Sequence, residues 1–220
     1  VLISLLVRIS AEIGNGPVMK VGDSEHYARI NAVIVGDSSK ARKGTSEKPI
    51  RKIFSDRGYN HSFAKTSPGR LSTGEGLIHA GRDETKEWRC VDRKSNSYDW
   101  GVTDPGVDDK RLCVIDEEFG AALSCTKRSG STLSTIIRLS WDHGNIEPVI
   151  KHKRIGATGA HICILSHITN AELQKKMSET EALNGFGNRI LWVCAKRQGF
   201  VSRPHSMNES DVDALHRHLI

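Results

Sequence analysis

The sequence lacks a hydrophobic run long enough to cross a membrane, since its apolar opening, VLISLLVRIS, is short and carries Arg8. A membrane span takes about 20 apolar residues. The same segment lacks the basic n-region of a signal peptide. No zinc signature, internal repeat or low-complexity stretch is present. The sequence therefore contains no sign of a membrane-spanning, secreted, zinc-binding or repeat protein, and we expect no membrane partner.

Cysteine is scarce, and its pattern suggests no pairing. The five cysteines are odd in number and form no Cys-x-x-Cys motif. Three of them lie in strongly apolar runs, which indicates reduced, buried thiols and a cytoplasmic location. The chain begins without Met inside an apolar segment, so we expect it to be a fragment of a longer protein.

The charge balance is basic, with a net charge of +6 and a pI of about 9.1. The basic residues are spread along the chain instead of forming a tail. This balance suits nucleic acid or another polyanion. A length of 220 residues allows one domain with a proper hydrophobic core.

Apolar runs alternate with helical patterns, an order that predicts an α/β fold with a mainly parallel sheet covered by helices on both faces. The predicted strands are residues 30–35, 111–115, 160–165 and 190–195. The predicted helices are residues 1–13, 45–54, 119–127, 132–141 and 171–176, with a short helix beginning at Ser72 or Thr73. Residues 84–110 are predicted to form a surface loop or mobile insertion. The predicted parts are a lead-in with one helix (1–29), a core (30–197) and a polar tail (198–220).

The most informative segment is INAVIVGDSSKARKGTS, residues 30–46. It predicts a buried strand that stops at Gly36, then a loop, then a helix. Backbone N–H groups of such a loop, where it opens onto a helix, bind phosphate. Lys43 supplies a positive charge for the β- and γ-phosphates, and the hydroxyl of Thr45 can hold Mg²⁺. The predicted phosphate-binding residues are Gly36, Arg42, Lys43, Gly44, Thr45 and Ser46.

The spacing of this loop departs from the usual G-x-x-x-x-G-K-[ST] motif. Five residues separate Gly36 from Arg42, which stands where the second glycine normally lies. The Lys-Gly-Thr ending is similar to that of adenylate-kinase-like loops. The alternative is an ordinary strand-to-helix turn followed by a solvated basic run.

A second signal is KRLCVIDEEF, residues 110–119, in which an apolar run ends in acidic residues. The carboxyl ends of parallel strands form the edge of a sheet where ligands bind. At that edge Asp116 can ligate Mg²⁺ directly or through water, and Glu117 can polarise an attacking water. The alternative is a strand that leaves the core into an acidic, helix-capping turn. Together with the loop, the segment predicts a nucleotide-hydrolysing P-loop domain.

A third signal is the polar group Ser166, His167 and Thr169, which is expected just past the strand at 160–165. A polar residue at this place senses the γ-phosphate in ring ATPases, and His167 and Thr169 are the candidates. Asn170, which follows them, could instead be merely the N-cap of the next helix. Arg189 lies on a glycine-bounded turn before the last strand, which suits an arginine finger that reaches a neighbouring subunit's nucleotide. The alternative for Arg189 is a surface arginine in a loop.

Residues 147–155, EPVIKHKRI, alternate well enough to predict a hairpin. Lys151, Lys153 and Arg154 would lie around its tip and along one face. Several replicative helicases grip the DNA backbone with a basic hairpin in the pore of a ring. Such phosphate contacts are independent of base sequence and sensitive to salt. The alternative is an exposed edge hairpin that its lysines protect from aggregation.

These motifs together resemble a domain-of-unknown-function family of P-loop proteins. The resemblance rests on GDSSKARKGTS, LSTGEGLI, DDKRLCVIDEEF, STLSTIIRLSWDHG, ATGAHICILSHIT-x-x-EL and NGFGNRILWVC, and it extends from about Leu6 to Arg197. Members are carried by phages, plasmids and bacterial chromosomal islands, often in or beside primase–polymerase or replication-initiation proteins. More distantly, the chain is similar to the MCM and superfamily 3 helicases of the AAA+ class. They share the order of loop lysine, acidic strand, basic hairpin, sensor strand and arginine.

The resemblance implies a three-layer P-loop NTPase of AAA+ or RecA-like type, with a basic hairpin insertion and with ATP and Mg²⁺ as cofactors. It implies phosphate binding by Lys43, Mg²⁺ at Thr45 and Asp116, water activation by Glu117, sensing by His167 or Thr169, and a finger at Arg189. It also implies single-stranded or forked DNA, a homo-oligomeric ring and a primase–polymerase partner. It assigns no role to residues 71–78. No helical lid with a second sensor arginine is evident after the last predicted strand.

Two functions of different classes are compatible with the sequence. The first is an ATP-driven DNA helicase or translocase that acts in the replication of a mobile element. The second is a degenerate P-loop module that binds DNA or recruits a primase without hydrolysis, which the unusual loop spacing and the missing lid favour. A small-molecule kinase is a third option, prompted only by the Lys-Gly-Thr ending.

Overall fold

The structure is a computed structural model that describes residues 1–37, 47–55, 62–67, 69–92, 97–147, 155–177, 184–196, 199 and 206–219. Its strands are β1 (Val18–Val21), β2 (Ser24–Tyr27), β3 (Asn31–Val35), β4 (Lys65–Ser67), β5 (Thr85–Asp92), β6 (Ser97–Asp104), β7 (Arg111–Asp116), β8 (His161–Ile168) and β9 (Leu191–Cys194). Its α-helices are α1 (Leu2–Ile13), α2 (Lys48–Ile53), α3 (Gly74–Ala80), α4 (Phe119–Thr126), α5 (Leu133–Asp142), α6 (Asn170–Lys176) and α7 (Glu209–Leu219). A short 3-10 turn, Gly187–Arg189, precedes β9.

A five-stranded parallel sheet forms the centre of the molecule, with the strands in the order β4-β7-β8-β3-β9. Every residue of the inner strands β3 and β8 is buried. Burial on both faces is typical of parallel strands that helices cover from two sides, and it explains why these strands are continuous apolar runs in the sequence. The predicted α/β class with a mainly parallel sheet is confirmed.

Alternate residues of the strands face two different helical layers. Val33 and Val35 of β3 pack with apolar residues of α3, α4 and α5. Ala32 and Ile34 face the other way, into a cluster with Val7 of α1. In a third cluster, apolar residues of α2 meet Val212 of α7, and Leu5 and Ile9 of α1 pack against them. The strand period of two therefore divides the core into two layers, one on each side of the sheet.

Helix α1 covers the face of β7 and β8 because its buried residues recur at helical spacing. Arg8 is among them and is only 5% exposed. Its guanidinium forms an ion pair with Glu12 one turn later and donates a hydrogen bond, 2.8 Å long, to the Ala64 carbonyl oxygen. The helix ends at Gly14, whose φ of 64° favours glycine. The helix predicted over 1–13 is confirmed.

The predicted surface loop at 84–110 is wrong, because most of this segment is an antiparallel ribbon of β5 and β6. Trp88 lies opposite Trp100, and Cys90 lies opposite Tyr98. Charged residues made the segment look like a loop, yet they alternate with the aromatic residues at the strand period of two. Cross-strand aromatic pairs of this kind stabilise a two-stranded ribbon.

Strand β8 runs three residues past its predicted end at 165 and finishes at Ile168. It continues because neighbouring strands pair with it on both sides, with Ser166 between Asp116 of β7 and Val33 of β3. Ser166 and His167 therefore lie inside the strand, and the prediction that they follow it is wrong.

Two stretches for which no helix or strand was predicted, the part of the lead-in after its helix and the polar tail, also form regular secondary structure. The lead-in contains a small β1–β2 hairpin. The segment at 198–220 contains α7, whose Val212 and His216 are buried. The His216 Nδ1 atom lies 2.9 Å from the Ile53 carbonyl oxygen, so α7 is attached to the end of α2.

Candidate active site

Three neighbouring strands bring the ends of the predicted motifs to one edge of the sheet. β8 lies between β7 and β3, and all three run in the same direction. Asp116 ends β7, Thr169 follows β8, and Gly36 follows β3. The Gly36 N–H donates to the Ile168 carbonyl oxygen at 3.2 Å, so β3 and β8 remain paired to their ends. Since adjacent strands lie about 4.8 Å apart, the ends of β7 and β3 are about 10 Å apart.

Two groups of predicted site residues lie outside the described residues. They are the loop residues Arg42, Lys43, Gly44, Thr45 and Ser46, and the hairpin residues Lys151, Lys153 and Arg154. An antiparallel bridge between Ile146 and Ala157 brings together the two flanks of the segment predicted as a basic hairpin. Helix α2, which begins at Lys48, lies within the range predicted for the helix after the loop.

Asp116 is buried at the end of β7, with 1% of its surface exposed. One carboxylate oxygen accepts the Leu71 N–H at 3.0 Å and the other accepts the Glu118 N–H at 2.9 Å. Its backbone carbonyl oxygen accepts a hydrogen bond from the Ser166 hydroxyl. Asp116 thus ties the start of the 71–78 segment to the turn after β7. Direct metal ligation would have to share oxygens that already accept amides.

Glu117 is exposed and faces the opposite side of the sheet from Asp116. It lines a cavity of about 360 Å³ together with Glu47, Lys48, Arg51, Lys52 and Ser55, all from α2 and its flanks. Three of these side chains are cationic, but Arg51 is ion-paired with Glu47 and Lys52 with Glu209, so the charge of the cavity lining is mixed. The neighbouring Glu118 instead forms an ion pair with Arg70. Of the two glutamates after β7, Glu117 is therefore the one next to the helix that follows the predicted phosphate loop.

The two candidate sensors differ in position. His167 is buried, with 4% of its surface exposed, and lies next to Ile34 of β3. Thr169 is the first residue after β8, and its side-chain oxygen accepts the Glu172 N–H at 3.2 Å. Thr169 is thus the N-cap of α6, and the alternative assignment of that cap to Asn170 is wrong. Thr169, and not His167, lies at the end of the strand.

Arg189 lies in the 3-10 turn before β9 and is held within its own chain. Its Nε and Nη2 atoms donate to the two carboxylate oxygens of Asp142 at 2.8 and 2.9 Å. Its Nη1 atom donates to the Gly185 carbonyl oxygen at 2.9 Å. This two-pronged ion pair joins the end of α5 to the turn before β9. A contact with a neighbouring subunit's nucleotide would require Arg189 to leave Asp142.

The 71–78 segment forms most of α3 and the residues before it. Gly74 has a packing role that the sequence pattern did not reveal. Thr73 caps the helix by accepting the Gly76 N–H. A Cβ atom on Gly74 would lie 2.5 Å from the Thr132 hydroxyl oxygen and 2.6 Å from Ile136 Cγ1. The Thr132 hydroxyl also donates to Glu75 at 2.8 Å. The segment therefore packs α3 closely against α5. The hydrogen bond from the Leu71 N–H to Asp116 holds the start of the same segment.

A second polar cluster, which the sequence analysis did not identify, lies at the opposite, amino edge of the sheet. Buried His161 has its Nε2 atom 2.8 Å from the Ser10 carbonyl oxygen and its Nδ1 atom 3.0 Å from Asn15 Oδ1. Buried Arg29 donates to the same Asn15 oxygen at 2.9 Å. The pKa of His161 is lowered from its ordinary 6.5 to about 4, mainly by burial and in part by the nearby Arg29 charge. This cluster is far from the motif-bearing edge and holds α1 on the sheet.

Comparison with known proteins does not identify a relative, since no family model matches the chain and no curated protein matches it significantly. Among the described residues, no group of three or more His, Cys, Asp or Glu side chains is arranged to hold a metal ion. Within the same part of the chain, no helix is long and apolar enough to span a bilayer.

Proposed function

We propose that this chain is a nucleoside-triphosphate-hydrolysing motor domain that acts on DNA in the replication of a mobile element. One observation carries the proposal: the strands that end in Gly36, in Asp116 and before Thr169 are neighbours in a single parallel sheet. Ligands of open α/β sheets bind at the carboxyl edge of the strands. The same order of strands supports a P-loop core of AAA+ or RecA-like type, with helices on both faces.

In this proposal the loop after Gly36 holds the nucleotide phosphates, with Lys43 as the cationic contact. Mg²⁺, when bound, would neutralise charge on the phosphates, and Thr45 and Asp116 would hold it. Asp116 would act through water, because both of its carboxylate oxygens accept backbone N–H groups. Glu117 is exposed and lines the cavity beside α2, a position that suits a base for the attacking water.

Thr169 is the better candidate for the γ-phosphate sensor because it lies at the end of β8, whereas His167 is buried within the strand. Arg189 would act as a finger only in a homo-oligomeric ring, where a neighbour's nucleotide would compete with Asp142 for its guanidinium. Lys151, Lys153 and Arg154 would contact the DNA backbone. A primase–polymerase is the protein partner that we propose for this function.

The alternative is a degenerate P-loop module that binds DNA or recruits a primase without hydrolysis. Two observations favour it: the Asp116 carboxylate is already engaged by two amides, and Arg189 is already paired with Asp142. Both residues have structural roles that need no nucleotide. This alternative predicts DNA binding that weakens with salt and does not respond to ATP.

ATP hydrolysis with and without single-stranded DNA distinguishes the two functions. Lys43→Ala should abolish turnover, and the exposed Lys127→Ala is its matched control. Glu117→Gln should retain nucleotide binding and lose turnover, while Glu118→Gln, one residue further on, should retain both. Absence of turnover in the wild-type protein, with DNA binding intact, would favour the degenerate module. Retained turnover in Glu117→Gln would exclude that residue as the base.

A further inference from the structure

The β5–β6 ribbon carries three exposed aromatic side chains on one face, which we call the aromatic face. Trp88, Tyr98 and Trp100 are 58%, 48% and 62% exposed. The Trp88 and Tyr98 rings are nearly parallel, with centroids 6.5 Å apart, and the Trp88 and Trp100 rings meet edge to face at 5.7 Å. A contiguous cluster of large exposed aromatic side chains marks a binding surface more often than isolated ones do.

The charges of the ribbon are sorted between its two faces. Lys86 and Val102 lie opposite each other two residues from the tryptophan pair, so they share the aromatic face. Glu87, Arg89 and Asp99 alternate with these residues and lie on the reverse face. Among the described side chains of 86–89 and 98–102, Lys86 is therefore the charge on the aromatic face, and it is ion-paired at 2.8 Å with Glu84 at the base of the ribbon. This ion pair neutralises Lys86, so the described part of the aromatic face carries no net charge.

The aromatic face is small. Five residues on each of two strands, at about 3.4 Å per residue and with strands about 4.8 Å apart, form a patch of roughly 20 Å by 10 Å including side chains. That is about a quarter of the area that each partner contributes to a stable protein–protein interface, about 800 Å². A patch of this size holds two or three stacked bases, and the net charge of +6 on the whole chain suits a polyanion.

We propose that the aromatic face binds single-stranded nucleic acid by stacking unpaired bases on Trp88, Tyr98 and Trp100. Every base has an aromatic face of its own, so such stacking tolerates any sequence, and only an unpaired strand offers those faces. A contact between Lys86 and a backbone phosphate would require Lys86 to leave Glu84. The inference deepens the proposed function, on which it rests only for the identity of the polymer. It assigns the nucleic acid a second site, apart from the basic hairpin predicted over residues 147–155.

The test measures binding of a labelled dT20 oligonucleotide, without ATP, at fixed salt. Wild-type protein should bind dT20 more tightly than an abasic strand of the same length and more tightly than a duplex. Trp88→Ala with Trp100→Ala should weaken dT20 binding by at least about 10-fold, since each stacked base contributes about 5-fold or more. The Trp→Phe pair at the same positions should retain most of the affinity. Val102→Ala is the matched control for loss of apolar area on the same face.

Three results would overturn the proposal. The first is equal affinity of the wild-type protein for dT20 and the abasic strand, and the second is unchanged dT20 binding in the double alanine variant. The third is self-association of the wild-type protein that the double variant abolishes while dT20 binding persists. The last result would show that a second copy of the chain covers the face. Lys43→Ala should still bind dT20 in a manner that depends on the tryptophans. If the motor function is wrong, ATP hydrolysis will be absent while dT20 binding is unaffected. If this inference is wrong, the preference for dT20 over the abasic strand will be absent while ATP hydrolysis is unaffected.

Discussion

Replacing Asp116 by asparagine removes an acceptor from a buried position where both carboxylate oxygens are in use. The Leu71 N–H donates to one oxygen at 3.0 Å and the Glu118 N–H donates to the other at 2.9 Å. Asparagine has nearly the same shape but offers a single acceptor oxygen. One of the two amides would therefore lose its acceptor and face an NH₂ donor.

The magnitude follows from this loss. A hydrogen bond to a charged group contributes about 1.5–3 kcal/mol, and a buried donor left without a partner costs about 1–3 kcal/mol. The two figures describe the same loss, so they do not add. We expect the free energy of unfolding of Asp116→Asn to fall by about 2–3 kcal/mol relative to the wild type.

Urea unfolding followed by circular dichroism measures this change. Glu117→Gln is the matched control, because Glu117 is the next residue and is exposed. Its unfolding free energy should stay within about 0.5 kcal/mol of the wild type. If Asp116→Asn were as stable as this control, the carboxylate would not be holding the 71–78 segment, and the structural role assigned to Asp116 would be refuted.

Three further predictions concern packing, an ion pair and pH. A double-mutant cycle of Arg189→Ala and Asp142→Ala should give a coupling energy of about 1 kcal/mol, because the pair is two-pronged but partly exposed. Gly74→Ala should lower the free energy of unfolding by about 1–3 kcal/mol through overpacking against α5, whereas Gly76→Ala, whose nearest contact would be 3.3 Å away, should change it by less than about 1 kcal/mol. Neutral His161 in the folded state should make stability fall by about 3 kcal/mol as pH drops from 6.5 to about 4, since the unfolded chain takes up the proton first.

Each of these predictions has a contrary result. A coupling energy near zero would show that Arg189 and Asp142 act independently. Equal effects at Gly74 and Gly76 would show that α3 does not pack closely on α5. For His161, both ring nitrogens face oxygen atoms, so stability that rises on acidification would show that the network holds the imidazolium form. His161→Gln should remove the pH dependence that this side chain contributes.

The sequence predicted the order of the core elements because that order depends on local periodicity. Continuous apolar runs predicted β3, β7 and β8, and helical spacing predicted α1 and α5. The predicted bounds lie within about two residues of those in the structure, except at the end of β8. The same logic failed for the β5–β6 ribbon, where charged residues on one face concealed the aromatic residues on the other. The structure of that segment is decided by the pairing of its two strands and not by its composition.

What the sequence determined by itself is therefore the class of fold and the edge of the sheet at which the polar residues after β3, β7 and β8 gather. Only the tertiary structure decided how those residues are used. Asp116 meets the Leu71 amide 45 residues away, and Arg189 meets Asp142 47 residues away. A local pattern can place a charged residue at the end of a strand or on a turn. Its hydrogen-bonding partners depend on how distant segments pack, which no spacing along the chain encodes.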